Sequence, residues 1–483
     1  MIFSRIAKHS IVYGLVGPVS ALSSIVLVPI YTRYLTQKEF AILELYLVTG
    51  SFLSVVFNFG MGAGIFKVVL YDDDGMMNKS SLLGTAFVFL LITSTCFCMV
   101  LWLFSAPLTS IFGSGLPNSY LLVLLISTAF EVLSLVPMTS LRIDERSGVY
   151  ARLVIARSMV GFLASVYFVV VLGLGIRGIL ASLLIQSLLL LSTSYLATRR
   201  SIKLVLLVKP LIEILKFSVP LVPMGLAMLV MNMSDRYFLN AFSTKEELAT
   251  YTLGYKVSNV LLFGVSAFQL AWPPYLFAWA KLPQAHSLYS RALTYVVVSL
   301  GLLGLMLSTF SNELVELLAP ASYAKAADII PLIVLSNLLV GVFYATSVGT
   351  NLRKKTHLQS IAVVIGAGVN TLVNFMLIPT FGSTGAAVST LIAFSIMTWC
   401  NLRFSLSLYR VAYEWRRISL IAVGCVLVWF VNSYIHLTSS LTGIMFKLMG
   451  ILLFLVILYC IRFFEKDEID AMKSFVQSVF KRG

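Results

Sequence analysis

The chain has 483 residues, of which 59% are hydrophobic and 11% charged, less than half the ~25% charged share of soluble domains. The 35 Lys and Arg and 20 Asp and Glu cannot cover a water-soluble body of this size, so composition excludes a soluble enzyme or binding module. The net charge of +15 suits cytoplasmic loops and anionic lipid headgroups better than nucleic acid.

Crossing a bilayer core takes ~20 apolar residues. Fourteen stretches meet that length, which predicts an all-α polytopic membrane protein. In chain order, spans 1 to 7 are expected at 10–31, 40–66, 80–104, 118–140, 153–173, 175–197 and 217–240. Spans 8 to 14 follow at 250–276, 292–312, 329–350, 359–379, 384–406, 418–437 and 441–463. The first follows Arg5, Lys8 and His9 and lacks a small-residue cleavage pattern at its end, so it reads as a retained span rather than a signal peptide. Orientation follows from the basic residues, which mark cytoplasmic loops. With the N-terminus inside, cytoplasmic segments carry 26 Lys and Arg and outside segments carry 6. Both termini are therefore expected in the cytoplasm. The five cysteines lie inside apolar runs without C-x-x-C spacing, and neither a disulfide framework nor a metal site is indicated.

The first twelve spans repeat. Gly175, Gly178, Ser182, Leu184 and Ile185 align with Gly382, Gly385, Ser389, Leu391 and Ile392 at an offset of 207; Arg33-Tyr34 aligns with Arg236-Tyr237 at 203, and the run from Lys38 to Ala41 with that from Glu246 to Ala249 at 208. Six spans separate the copies, so the halves share one orientation, as in carriers that bind between parallel repeats and rock to expose the site alternately. The expected division is a first bundle over 1–198, a basic cytoplasmic linker over 199–216, a second bundle over 217–407, two added spans within 418–463 and an amphipathic tail over 464–483.

Three motifs in this order resemble the polysaccharide-specific (Wzx-type) flippases, in the superfamily that also holds the multidrug and toxin extrusion transporters and the lipid II flippase. They are the run from Tyr31 to Leu43 after span 1, Ser234 to Tyr251 after span 7, and Asn370 to Ala387 across spans 11 and 12. The resemblance covers roughly residues 5 to 405. It implies a carrier that moves a polyprenyl-pyrophosphate-linked repeat unit of an O-antigen or capsule across the bacterial inner membrane by alternating access. It also implies membrane lipids and that glycan as partners, together with a polysaccharide polymerase and chain-length regulator. Spans 13 and 14 recur in lipid II flippases, which keeps a lipid II-like cargo open.

A pyrophosphate entering a cavity needs cations to replace its lost hydration, and charges at membrane depth cost ~2.5–3.5 kcal/mol each unless they face water or a partner. Arg33, Lys67, Arg157, Arg236 and Lys256 are the candidate cations, with Glu44, Glu131 and Asp235 as carboxylates for ion coupling. Arg157 and Glu131 suit a structural ion pair as well as a substrate role. Asp235 and Arg236 suit a pair or a closure of the cavity mouth, and Lys256 suits a cavity contact or a side chain reaching the headgroups. Lys447, outside the repeat, is expected to snorkel. Proline in spans 1, 7 and 8 (Pro18, Pro29, Pro220, Pro223, Pro273 and Pro274) suggests bent helices around a cavity. No P-loop is present, so neither ATP nor another cofactor is expected. A membrane glycosyltransferase or acyltransferase would need a larger outside loop or a buried catalytic His. A cation-exporting drug carrier would line its cavity with carboxylates.

Overall fold

The structure is a computed structural model and describes residues 23, 25–70, 78–113, 116–434, 441–460 and 463. The start of span 1, Pro18 and the amphipathic tail lie outside the described residues. Every regular element described is helical. Among the described residues, twelve helices are long and apolar enough to cross a membrane. One of them, His357–Leu408, has 52 residues; at 1.5 Å per residue it would run about 78 Å if straight, more than twice the ~30 Å hydrocarbon core. It turns back at Gly382, whose φ of 52° and ψ of −129° interrupt the helix, and so supplies spans 11 and 12. Span 1 is helical from 25 to 34. The fourteen expected crossings thus correspond to helices wherever they are described.

The repeat seen in sequence is a repeat of packing. Span 4 lies on span 6 and span 10 on the 11–12 helix; span 3 lies on span 4 and span 9 on span 10; span 2 meets span 4 and span 8 meets span 10. Two separated sequence motifs touch within each half. Gly175 and Gly382 both open their spans with positive φ, 55° and 52°, and each faces the carboxylate that the repeat places before it. A Cβ on Gly175 would meet Glu39 Oε1 at 3.6 Å. Glu247 Oε2 accepts the Ser383 N–H at 3.0 Å, so this carboxylate caps span 12. Thr36 and Glu39 also form a capping box at the start of span 2.

Span 2 is two helices, Gln37–Asn58 and Met61–Leu70. Between them Phe59 and Gly60 take positive φ, and Asn58 Oδ1 accepts the Gly60 N–H at 2.6 Å. A Cβ on Gly60 would lie 2.6 Å from the Ser218 carbonyl, so spans 2 and 7 cross backbone to backbone. Span 7 is likewise segmented, running through Val208–Ser218, Val222–Met233 and Asp235–Phe242, with Pro220 and Pro223 at helix starts. Span 8 breaks between Ser258 and Leu261, whereas Pro273 and Pro274 sit inside a continuous helix, Leu261–Trp279. Proline marks the bends of span 7, and side-chain hydrogen bonding marks the break of span 8. Outside the repeat, span 13 packs on span 9 and span 14 on span 13.

Both Gly175→Ala and Gly382→Ala force a left-handed backbone on an L-residue, a cost of about 1–3 kcal/mol. Only at Gly382 would the new methyl collide with the capping Glu247 carboxylate. Thermal unfolding in detergent is expected to show a larger loss for Gly382→Ala; equal losses would mean that the Glu247 cap does not constrain the turn.

Candidate functional site

The charged residues of spans 2, 7 and 8 converge on one buried cluster. Glu44 is 7% exposed and faces two cations: Lys256 Nζ stands 2.9 Å from its Oε2 and Arg236 Nε 3.8 Å from its Oε1. Arg236 and Asp235, 2% and 1% exposed, bind each other at 2.7 Å. Arg236 also donates to the Asn232 carbonyl at 2.5 Å and lies over the Tyr255 ring at 3.9 Å. The Tyr251 hydroxyl donates to Asp235. Two carboxylates and two cations cancel, and desolvation is offset by mutual attraction; a pair 4 Å apart attracts by ~4 kcal/mol at an effective dielectric near 20. Lys256 is the half-buried member of the four, and it lines a cavity.

Two adjoining cavities lie in the first half, and the smaller reaches this cluster at Lys256. The larger, about 360 Å³, runs between spans 2, 4, 5 and 6, with hydroxyls from Ser51, Ser54, Ser127 and Thr128 and the Arg157–Glu131 pair in its wall. That pair closes at 2.9 Å and both side chains remain partly exposed. The smaller, about 200 Å³, extends toward span 1 and is bounded by Tyr31, Ser165, Ser182 and Lys256. Lys256 is the residue that the second half contributes to its wall. Gln186 and Leu183 line both cavities. Gly161 makes room for Gln186, since a Cβ there would fall 2.6 Å from Gln186 Oε1.

The proposed cations therefore occupy different environments. Arg157 and Lys256 line cavities, each paired with a carboxylate. Arg236, an outside residue by the charge count, is buried in the ion cluster rather than open at a cavity mouth. Lys67 is exposed at the end of span 2 that the charge count places in the cytoplasm, over the Phe217 ring at 4.4 Å. Arg33, at the outer end of span 1, donates to the Leu317 carbonyl at 3.1 Å. Lys447 does not snorkel: it is 6% exposed and paired with Glu313 at 2.5 Å. Sequence reasoning missed Tyr251, Tyr255 and Gln186. The i, i+4 spacing of the tyrosines, one residue before Lys256, was the available signal for the first two; Gln186 carries no sequence signal.

The halves are joined at the ends that the charge count places outside. Beside Arg33, Thr32 donates to the Leu318 carbonyl at 2.8 Å and Gln37 to that of Ser322 at 2.9 Å. On the opposite side, Asn240 donates to the Ile111 carbonyl at 2.8 Å and Lys245 to that of Phe112 at 2.5 Å. Burial lowers the Lys245 ammonium below the usual lysine range. The Ile111, Phe112, Leu317 and Leu318 carbonyls end a short helix in each half, Ser105–Phe112 or Ser311–Leu318, where the last carbonyls lack helical partners.

Two similarly packed helical halves, joined to each other at one end and holding polar cavities with paired charges, define a multi-pass membrane protein. The chain belongs to the family described as "Polysaccharide biosynthesis protein", whose sequence profile matches residues 30–271. It is 21% identical over 189 residues to a probable low-salt glycan biosynthesis flippase, Agl15, of Haloferax volcanii, covering 38% of this chain and 40% of that protein. The match thus spans less than half of that relative. Among solved structures, the lipid II flippase MurJ in an inward closed conformation superposes with a TM-score of 0.68 at 17% identity, over 94% of this chain and 99% of that one. A mutant form of the Vibrio cholerae MATE transporter VcmN gives 0.55 at 17% identity, over 84% and 98%. These likenesses show a shared fold, and the proteins named are transporters and flippases rather than enzymes.

Breaking a buried pair by removing one partner costs about 3–5 kcal/mol, whereas a partly exposed pair contributes about 0–1 kcal/mol. Asp235→Asn, which strands Arg236, is expected to lower thermal stability far more than Glu131→Gln. A similar loss for both would show that the Glu131–Arg157 cavity is as dry as the cluster.

Proposed function

We propose that the protein flips a polyprenyl-pyrophosphate-linked oligosaccharide, the repeat unit of an O-antigen or capsule, across the bacterial inner membrane by alternating access, with both termini in the cytoplasm. The observation that carries this reading is Lys256, a half-buried cation at the junction of the two halves in a chain of the polysaccharide biosynthesis family. Its ammonium is engaged by Glu44, a carboxylate that does for the resting protein what a phosphate does for the loaded one. An arriving pyrophosphate exchanges with Glu44, so the site avoids both an unpaired buried cation and an irreversible hold on its cargo. The hydroxyl-bearing walls of the adjoining cavities offer neutral donors and acceptors suited to sugar hydroxyls. Arg157 and Glu131 extend that polar surface toward the cytoplasm.

The fold equally suits a lipid II-like cargo, and both cargoes share the pyrophosphate. A cation-exporting drug carrier fits less well, because Glu44 and Glu131 are engaged by cations. The polysaccharide polymerase and chain-length regulator are the partners expected to take up the delivered unit.

Complementation of a strain lacking its O-antigen or capsule flippase tests the reading, with membrane abundance checked by blot. Lys256→Ala is expected to reduce surface polysaccharide roughly tenfold, the effect of losing about 1.5 kcal/mol in one charge-assisted contact. Lys256→Arg should restore part of it. Glu44→Gln leaves Lys256 without its competitor and is expected to retain cargo and slow turnover. Failure of the unaltered protein to complement, with drug hypersensitivity as the only deletion phenotype, would overturn the glycan reading. Full activity of Lys256→Ala would overturn the cation exchange.

A further inference from the structure

Lys447 lies in a span outside the six-span repeat, yet it is buried and closes on Glu313 Oε1 at 2.5 Å, with the Phe310 ring 5.7 Å away. A buried ion pair seldom returns more stability than an apolar pair of the same volume, and its best-attested use is to fix geometry. Glu313 belongs to the short outer helix Ser311–Leu318, whose Leu317 and Leu318 carbonyls are held by Arg33 and Thr32 of the opposite half. Lys447 therefore touches the element that closes the outside.

The rest of the hairpin fastens it along span 9. At the inner end Ser290 donates to the Ala412 carbonyl at 2.7 Å, and Thr294 to Glu414 at 2.6 Å; Glu414 also pairs with Arg417 at 3.1 Å. Midway, Ile421 and Cys425 pack against Gly301, where a Cβ would stand 3.5 and 3.9 Å from them. Span 14 locks to span 13 where Phe454 covers Gly424. We propose that spans 13 and 14 form a strut for the outer closure. Held at the base of span 9, the hairpin presents Lys447 to Glu313 and keeps the 311–318 helix where Thr32 and Arg33 grip it, which favours the outside-closed state.

The two sides differ in this respect. At an offset of 206 the matching outer helix, Ser105–Phe112, contains no charged residue, and Pro107 stands where the second half has Glu313. Its carbonyls are held by Asn240 and Lys245. Outward opening accordingly starts at this unbraced side. The Lys447–Glu313 pair acts on closure through the outer helix and touches no cargo, so its role holds whatever the protein carries.

The test reads exposure in the absence of cargo. In a full-length chain whose five cysteines are replaced, Leu47→Cys places a thiol in the wall shared by both cavities. Its labelling by a membrane-impermeant maleimide added from the outside reports opening. Lys447→Met and Glu313→Gln are each expected to raise the labelling rate roughly five-fold or more, the lower end of typical coupling between sites. The charge swap, Lys447→Glu with Glu313→Lys, should return it toward the parent. The doubly neutral variant, Lys447→Met with Glu313→Leu, separates a strut from simple charge cancellation. It leaves no unpaired buried charge, so its abundance and thermal stability should be near the parent's while labelling stays fast. Parental labelling in that variant would overturn the proposal and leave the pair a structural neutralisation, as would unchanged labelling in both single variants.

Discussion

Inside a bilayer every backbone N–H and C=O must find a partner within the protein, and this chain interrupts its spans at several places. Several of these breaks are served by a polar side chain. Asn58 receives the Gly60 N–H, Glu247 that of Ser383, Asn337 donates to the Ser258 carbonyl at 3.0 Å, and Asn401 to that of Phe343 at 3.0 Å. These buried amides and carboxylates look expensive one by one, yet they permit the bends that leave room for the cavities. At the outer ends the same need is met across the midline, since the terminal carbonyls of each short helix are taken by donors from the other half. Closure of the protein and completion of its backbone hydrogen bonding are there one event.

Electrostatics follows the same logic. The Glu44, Asp235, Arg236 and Lys256 cluster is neutral as a whole, and its innermost cation is committed twice over, to Asp235 and to the face of Tyr255. Such a centre does not trap anions. What remains available is the outermost member, tied by a single carboxylate and placed where a cavity reaches it. The available charge thus stays paired within the protein, which spares it the full desolvation cost of an isolated ammonium.

Much of the fold was legible because membrane helices obey length and periodic polarity. The repeat was legible because its aligned motifs, Gly175 with Gly382 and Glu39 with Glu247, place a positive-φ glycine beside a carboxylate in both halves, and in the second half that carboxylate caps the span. The charges were less so. The sequence left alternatives open for Arg236 and Lys256, and three-dimensional packing shows Arg33 on a helix-end carbonyl, Arg236 in a sealed cluster and Lys256 at a cavity. Lys447 illustrates the limit best. Snorkelling weighs lipid against headgroup, and the decisive partner, Glu313, lies 134 residues earlier on an element that the sequence marked only as the end of span 9.

The segment between the halves is more than a tether. Its Lys203 N–H binds the Ser80 carbonyl at 2.9 Å, its Leu207 N–H binds Thr85 Oγ1 at 3.2 Å, and the Val208–Ser218 helix lies on the inner part of span 2. A strap fastened at both ends to the first half has little slack to give. The amplitude of any rocking between the halves is then set by covalent geometry at residues 218 to 222, where a short 3-10 turn leads into Pro223. Chain connectivity, as much as the shape of the interface, limits how the two halves can sit relative to each other.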